Sequence, residues 1–249
     1  MPEPLVRSIA GVTLAVRDLA AAESSYGAIL GRTPSQRSAT RLSYHLSNMT
    51  LVLMTERDNL PTWIKRDGEG IAGLTLRAAG TVRSTLDAST MRGLPISFTS
   101  RDEADAPAPL GDGVAEAEAA EGLHFLVMLT GDGDAVRQLF VEQLGFAVLL
   151  DRVSHKAATR QMHLRAGDTT LEVIQPLDPA KAARRGSFWG LAWDMCDIAA
   201  GRARLARAGV DVSEVRVGRE PGTRVATVRG EPCGVPTLLV DRLLARGLG

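Results

Sequence analysis

The sequence predicts an α+β protein: four βαβββ units in two tandem domains, residues 1–118 and 119–249. Residues 9–31, IAGVTLAVRDLAAAESSYGAILG, and residues 123–145, LHFLVMLTGDGDAVRQLFVEQLG, share one order of parts. Each reads as a short apolar strand, a turn carrying Asp, an amphipathic helix and a stop at Leu-Gly. Shorter echoes open at residues 71–94 and 188–210. Beyond the helix, Ala39-Thr40-Arg41 followed by His45 matches Ala158-Thr159-Arg160 followed by His163, within a residue. Repetition of one supersecondary unit in fixed order marks an internal duplication.

In the first unit, Val12, Leu14 and Val16 alternate with Thr13 and Ala15, which gives a strand with one apolar face. Asp18 is placed to cap a helix starting at Leu19, its carboxylate accepting orphan backbone N–H groups. Gly31 supplies the left-handed turn that ends the helix. RTPSQRS, RLSYHLS and MTLVLMTE then offer three β-prone segments. The second unit has a strand from residue 71, a helix towards Leu94 and the strand ISFTS. It then passes into RDEADAPAPLGDGVAEAEAAEG, read as a long loop or a degraded strand pair that joins the halves near 115–121. In the third unit GFAVLLDRVS, ATRQMHLRAG and TTLEVIQP fill the three strand slots. The fourth closes with TRVATVRG and EPCGVPTLLV.

Composition narrows the function classes. A chain of 249 residues can bury one large or two small cores, and 45% apolar with 23% charged residues is ordinary for a globular protein. Zero formal net charge gives no electrostatic reason for a nucleic-acid or membrane-surface partner. No apolar run approaches the ~20 residues of a membrane span, and MPEPLVRSIAG lacks the apolar core of a signal peptide. Cys196 and Cys233 alone make no disulfide framework, so a reducing cytoplasm is the expectation, with both thiols inert. There is no Cys-x-x-Cys or Cys/His cluster, phosphate loop, nucleophile elbow or Ser-His-Asp arrangement. Arg202, Arg204 and Arg207 read as the solvated face of a helix.

GVTLAVRDLAAAESSYGAILG, HFLVMLTGDGDAVRQLFVEQLGF and EPCGVPTLLV resemble the vicinal oxygen chelate superfamily. That group includes glyoxalase I, extradiol ring-cleaving dioxygenases, methylmalonyl-CoA epimerase, and the fosfomycin- and bleomycin-resistance proteins. Four units in one chain are most similar to the two-domain extradiol dioxygenases. EPCGVPTLLV resembles the family's Asp-Pro-x-Gly-x-Pro-x-Glu turn, with Glu231 replacing its Asp. The resemblance implies that paired units curl their sheets into a cup with a divalent metal on its floor. First strands supply His or Gln and last strands supply Glu, a set suited to first-row metals with open positions for substrate oxygens.

Carried across, the first-strand positions fall at Gly11, Gly73, Phe125 and Gly190, and the last-strand positions at Val52, Glu172 and Leu238. Only Glu172 matches a family ligand. His124 stands one residue off; an extra residue in TGDGD would bring it into register. Asp194 shares strand parity with Gly190. The extradiol two-His-one-carboxylate triad is absent, and the N-terminal domain, bare at Gly11, Val52 and Gly73, is expected to lack an active site.

Glu172 reads either as an edge carboxylate or as a cup-floor ligand or general base. His163 is either a duplicated structural histidine matching His45 or the acid partner of Glu172. Trp189 and Trp193 are core residues or line a cup and stack on a flat ligand, with His124, Phe125 and Leu238 as further ligand-binding positions. The expected function is binding or acid/base lyase or isomerase chemistry on a small oxygenated, aromatic or polyketide-like molecule, with no tightly bound metal or other cofactor. The alternative is a lyase or ring-cleaving dioxygenase using Fe, Mn or Zn held by His124 and Glu172. A third reading, a structural or regulatory protein whose cups are packed cores, also stands, so enzyme status stays open. The expected partner is a small molecule, not nucleic acid or membrane, and a homodimer is left open.

Overall fold

The computed structural model describes residues 5–56, 61, 64, 68–78, 93–100, 106–181 and 186–242. The first unit runs β1 (Val6–Ala15), α1 (Leu19–Leu30), β2 (Gln36–Arg37), β3 (Arg41–His45) and β4 (Thr50–Met54). The second contributes β5 (Gly70–Ala78) and β6 (Ile96–Thr99). The third runs β7 (Ala120–Leu129), α2 (Gly133–Arg137), β8 (Ala147–Ser154), β9 (Thr159–Ala166) and β10 (Thr169–Pro176). The fourth runs β11 (Ser187–Met195), α3 (Ile198–Arg207), β12 (Arg216–Val217), β13 (Thr223–Val228) and β14 (Thr237–Arg242).

Local chemistry sets the helix ends. The Asp18 carboxylate accepts from the backbone N–H of Ala20 and Ala21 at 2.8 and 3.1 Å. Asp132 accepts from Ala135, and Asp197 from Ala199 and Ala200. Each thereby occupies N–H groups that the first helical turn leaves without partners. Gly31 takes φ 67° and returns its N–H to the Gly27 carbonyl, the left-handed end expected at that stop. Gly145, closing the corresponding Leu-Gly, has φ 82°. Between them α2 widens into a π-type segment over Gln138–Gln143.

The strands form two mixed sheets, ordered β2-β3-β4-β1-β5-β6 and β12-β13-β14-β11-β7-β10-β9-β8. At the centre of each, the first strands of paired units run antiparallel, β1 against β5 and β7 against β11. The last strand of a unit lies parallel to its first, as β4 to β1, β10 to β7 and β14 to β11. β6 is parallel to β5 and so takes the slot of β14, with no strand outside it among the described residues. The helix expected over 80–92 lies outside the described residues.

The duplication extends to irregularities that the sequence did not announce. Pairing of β7 with β11 skips His124 and Glu121, and pairing of β1 with β5 skips Ala10 and Arg7. Likewise Trp189 is skipped on β11 and Ala72 on β5. Each is a one-residue bulge, which bends its strand and re-aims the side chains beside it. His45 and His163 do lie on equivalent strands, β3 and β9. Their positions differ, however: His163 is paired with Glu172, whereas Ser43 is paired with Val52 and His45 with Thr50.

Residues 106–119 run along the first half as a loop. Ala108 N–H donates to the His45 carbonyl and Thr33 N–H to the Pro109 carbonyl before a helical turn at Glu116–Glu118 delivers the chain to β7. The apolar core continues from one half into the other, from Ile9 and Tyr26 through Leu123 and Phe140 to Trp193 and Leu239. Arg204 departs from the solvated-face expectation: it is buried, and its guanidinium donates to the carbonyls of Ala28, Ile29 and Glu118.

Candidate functional site in the C-terminal cup

Along β7, Leu126 and Met128 turn into the core, while Phe125, Val127 and Leu129 stay partly exposed on the opposite face. On β10 the same alternation buries Leu171 and Val173 and leaves Glu172 on the inner face. These inner faces, with those of β9, β13 and β14, enclose a cavity of about 500 Å³. Phe125, His163, Glu172 and Leu238 all line it. Ala192, Val225 and Val240 pack together there against Phe125 and Leu238, giving the floor an apolar patch.

His163 and Glu172 are direct cross-strand partners. His163 Nε2 stands 3.9 Å from Glu172 Oε1, with the two side chains 24% and 23% exposed. That separation exceeds a hydrogen bond, so each head can meet a third group placed between them. The Phe125 ring centre lies 5.6 Å from that of His163, tilted at 55°. A carboxylate and an imidazole beside an apolar floor form a proton acceptor and donor facing a flat binding surface.

The mouth carries residues that the sequence reading missed: Arg152 on β8, Arg216 on β12, and Arg219 and Glu220 in the loop to β13. Gln161, on β9, accepts from Arg152 at 3.4 Å. Neither a motif nor a periodicity sets these arginines apart; only the curl of the sheet brings both of its edges to one rim.

Three expected residues lie elsewhere. Trp193 has 0% exposure and belongs to the main core, behind the sheet rather than in the cup, because its neighbours Ala192 and Asp194 take the inner face. Trp189, at its bulge, is 44% exposed and does not line the cavity. His124 is buried, with Nδ1 2.7 Å from Asp194 Oδ1 and Nε2 3.3 Å from Glu220 Oε2. Arg242 Nη2 also approaches Nδ1, at 3.0 Å. No extra residue shifts the register: Asp132 stands as far before Leu144-Gly145 as Asp18 before Leu30-Gly31, and both cap their helices. Phe125 therefore holds the first-strand slot.

The donor set does not fit the metal that the resemblance implies. Phe125, Gly190 and Leu238 have no donor atom, and a Cβ at Gly190 would stand 3.1 Å from the Pro236 carbonyl oxygen. Among the described residues, no three His, Cys, Asp or Glu side chains group as metal ligands. The His124–Glu172 pair is not assembled either, since Asp194 and Glu220 occupy the His124 nitrogens while Glu172 faces His163.

Residues 123–227 match the family model described as Glyoxalase/Bleomycin resistance protein/Dioxygenase superfamily. No curated protein matches the sequence. Among solved structures, a triple mutant of 4-hydroxymandelate synthase from Streptomyces coelicolor superposes with a TM-score of 0.69. It is 16% identical, and the match covers 99% of this chain and 95% of that one. The Mn(II)-bound glyoxalase from Novosphingobium aromaticivorans gives a TM-score of 0.65 at 16% identity, over 97% of this chain and 84% of that one. A xylose isomerase-like TIM barrel/4-hydroxyphenylpyruvate dioxygenase fusion protein gives 0.64 at 13% identity, over 100% of this chain and 50% of that one. At these identities the likeness is one of fold, and it spans the whole chain.

Proposed function

We propose that the chain, whose residues 123–227 match the glyoxalase/bleomycin resistance protein/dioxygenase family model and whose whole length shares the fold of such proteins, is a member of the vicinal oxygen chelate superfamily whose C-terminal cup binds a small oxygenated, aromatic or polyketide-like molecule and moves a proton on it. The observation that carries this reading is the Glu172–His163 pair at 3.9 Å beside the apolar floor. Phe125 and Leu238 take the flat body of the ligand. Where a carbonyl acidifies a neighbouring C–H bond, the Glu172 carboxylate accepts that proton. His163 donates a hydrogen bond from Nε2 to the oxygen that gains the charge. Return of the proton to carbon completes an isomerisation, and departure of a group from the adjacent carbon completes an elimination.

The fold admits a metal, as the Mn(II)-bound glyoxalase shows for its own chain, but no step is routed through one here because the slot residues do not fit it. A cytoplasmic setting with a small-molecule partner belongs to the same reading. Among the described residues, no helix is long and apolar enough to cross a membrane.

A panel of catechols, phenols and thioesters, soaked into crystals and titrated in solution, tests the proposal. The expected result is a ligand on Phe125 between His163 and Glu172, on protein purified without chelator that carries clearly less than one equivalent of transition metal. Stoichiometric iron, manganese or zinc held by His124 and Glu172 would overturn it, as would ligands seated only outside this cup.

A further inference from the structure

The mouth of the C-terminal cup gathers charge that the chemistry of the floor does not use. β8 and β12 are the two edges of the eight-stranded sheet. Arg152 from one edge, and Arg216 from the other with Arg219 in the loop after it, line a single cavity of about 500 Å³. Elsewhere in this half Arg160, Arg202, Arg224 and Arg229 are each matched by a carboxylate. The three at the mouth are not. Arg152 Nη2 donates to Gln161 Oε1 at 3.4 Å and Arg216 Nη2 to Thr227 Oγ1 at 3.5 Å, both neutral acceptors. Arg219 has neither a hydrogen bond nor an ion pair among the described residues. Two carboxylates line the cavity among the described residues, and both face imidazoles. Glu172 Oε1 lies 3.9 Å from His163 Nε2, and Glu220 Oε2 lies 3.3 Å from Nε2 of the buried His124.

We infer that the molecule taken by this cup carries an anionic group, a carboxylate or a phosphate, at the end remote from its reacting carbon, and that Arg152, Arg216 and Arg219 hold that group at the mouth. The inference rests on the reading of the cup proposed above and adds to it the substrate class and its orientation. An anion laid on the floor would face the Glu172 carboxylate. At the mouth it meets guanidinium groups, whose planar forks match both head groups. The other end of the molecule then lies on Phe125 and Leu238, beside Glu172 and His163. Floor and mouth line one cavity, and its volume falls in the range that takes a whole small ligand. The loop that carries Arg219 is held before a ligand arrives: Thr223 Oγ1 donates to the Glu220 carbonyl at 2.6 Å. His124, with Asp194 at 2.7 Å on its other nitrogen, anchors the Glu220 side chain. The buried histidine thereby engages the carboxylate next in sequence to Arg219 and leaves that guanidinium for the ligand.

The test is an NMR titration of the whole ¹⁵N-labelled chain with three probes: 3-phenylpropanoate, phenyl phosphate and the neutral 3-phenylpropanamide. Saturable shifts are expected at the amides of Phe125, His163 and Glu172 on the floor and of Arg152 and Arg219 at the mouth. At least one anion should bind about tenfold more tightly than the amide, and the tighter of the two names the head group. Exposed charges are weakened by water, so Arg152→Ala and Arg219→Ala should each cut that preference only about threefold. The two substitutions together should remove it, in a protein whose spectrum shows the fold intact. Raising the salt from 50 to 500 mM should weaken the anions and spare the amide. Arg137→Ala, which removes an exposed arginine of α2 paired with Glu142, should keep the parental preference. Equal affinity for anions and amide on the floor would overturn this inference and leave the reading of the cup standing. Parental preference in the double variant, or anion shifts confined to other parts of the molecule, would overturn it too. Absence of saturation with all three probes would count against both.

Discussion

Glu172 differs from every other slot residue in having chemistry to lose. Glu172→Gln keeps the side chain's volume and hydrogen-bonding reach but removes the carboxylate proposed as the base. Turnover should fall by about 10²- to 10⁴-fold, the range of a general acid–base contribution. The melting temperature should hardly move, because the carboxylate is 23% exposed and has no hydrogen-bonded partner among the described residues. Comparable activity in the two proteins would remove Glu172 from the chemistry. Cys233 gives a second check at this scale. Burial, with Glu69 adding to it, pushes its thiol up to about 12. At pH 8 its thiolate fraction is on the order of 10⁻⁴, so a maleimide should leave it unmodified in the native protein. The resemblance of TTLEVIQP to the family's last strand singles out Glu172, and it does line the C-terminal cavity. His124 and Trp193, expected among the ligand-binding positions, do not line the cavity: a bulge falls on His124 and breaks the two-residue period, and Trp193, one step out of phase with Ala192 and Asp194, turns into the core.

At the scale of elements, the helix boundaries were legible because capping is a matter of neighbours in sequence. Asp132→Ala removes the acceptor for the Ala135 N–H and should cost about 1 kcal/mol in denaturant unfolding. Gly31→Ala should cost more, roughly 1–3 kcal/mol, since φ 67° is strained for any side chain. Its Cβ would also press to 3.1 Å on Val114 Cγ1 and 3.2 Å on the Ala119 Cα. A Gly31→Ala protein as stable as its parent would refute the left-handed helix end. The second unit was legible only in part. ISFTS reads as a strand, but nothing local says that it takes the last-strand slot beside β5, a parallel pairing that depends on chain far from it.

The whole molecule is held together by contacts that no periodicity discloses. Asn48, in the turn before β4, donates to the Leu123 carbonyl and accepts from the Leu123 N–H, both at 2.9 Å, so one side chain does the work of a strand neighbour across the two halves. Arg32 donates to the carbonyls of Ala120 and Ala108. Arg204 matters most for the assembly. The charged spacing of α3 suggested a solvated face, yet this guanidinium reaches back from α3 to the carbonyls of Ala28 and Ile29 at the end of α1. Helix ends leave such carbonyls without partners, and a cation there also meets the negative end of the helix dipole. Burial lowers the pKa of Arg204, but an arginine keeps its charge regardless. Arg204→Ala would strand three carbonyls, with Glu118 as the third, and should cost about 3 kcal/mol or more. Arg204→Lys should recover less than half of that, since a single ammonium cannot serve all three at the same geometry. Because one apolar core runs through both halves, the parent and both variants should each unfold in a single transition, the variants at lower denaturant. Two separated transitions in Arg204→Ala would mean that the halves are independent domains bridged by a clamp, and the continuous core would then carry little of the coupling between them.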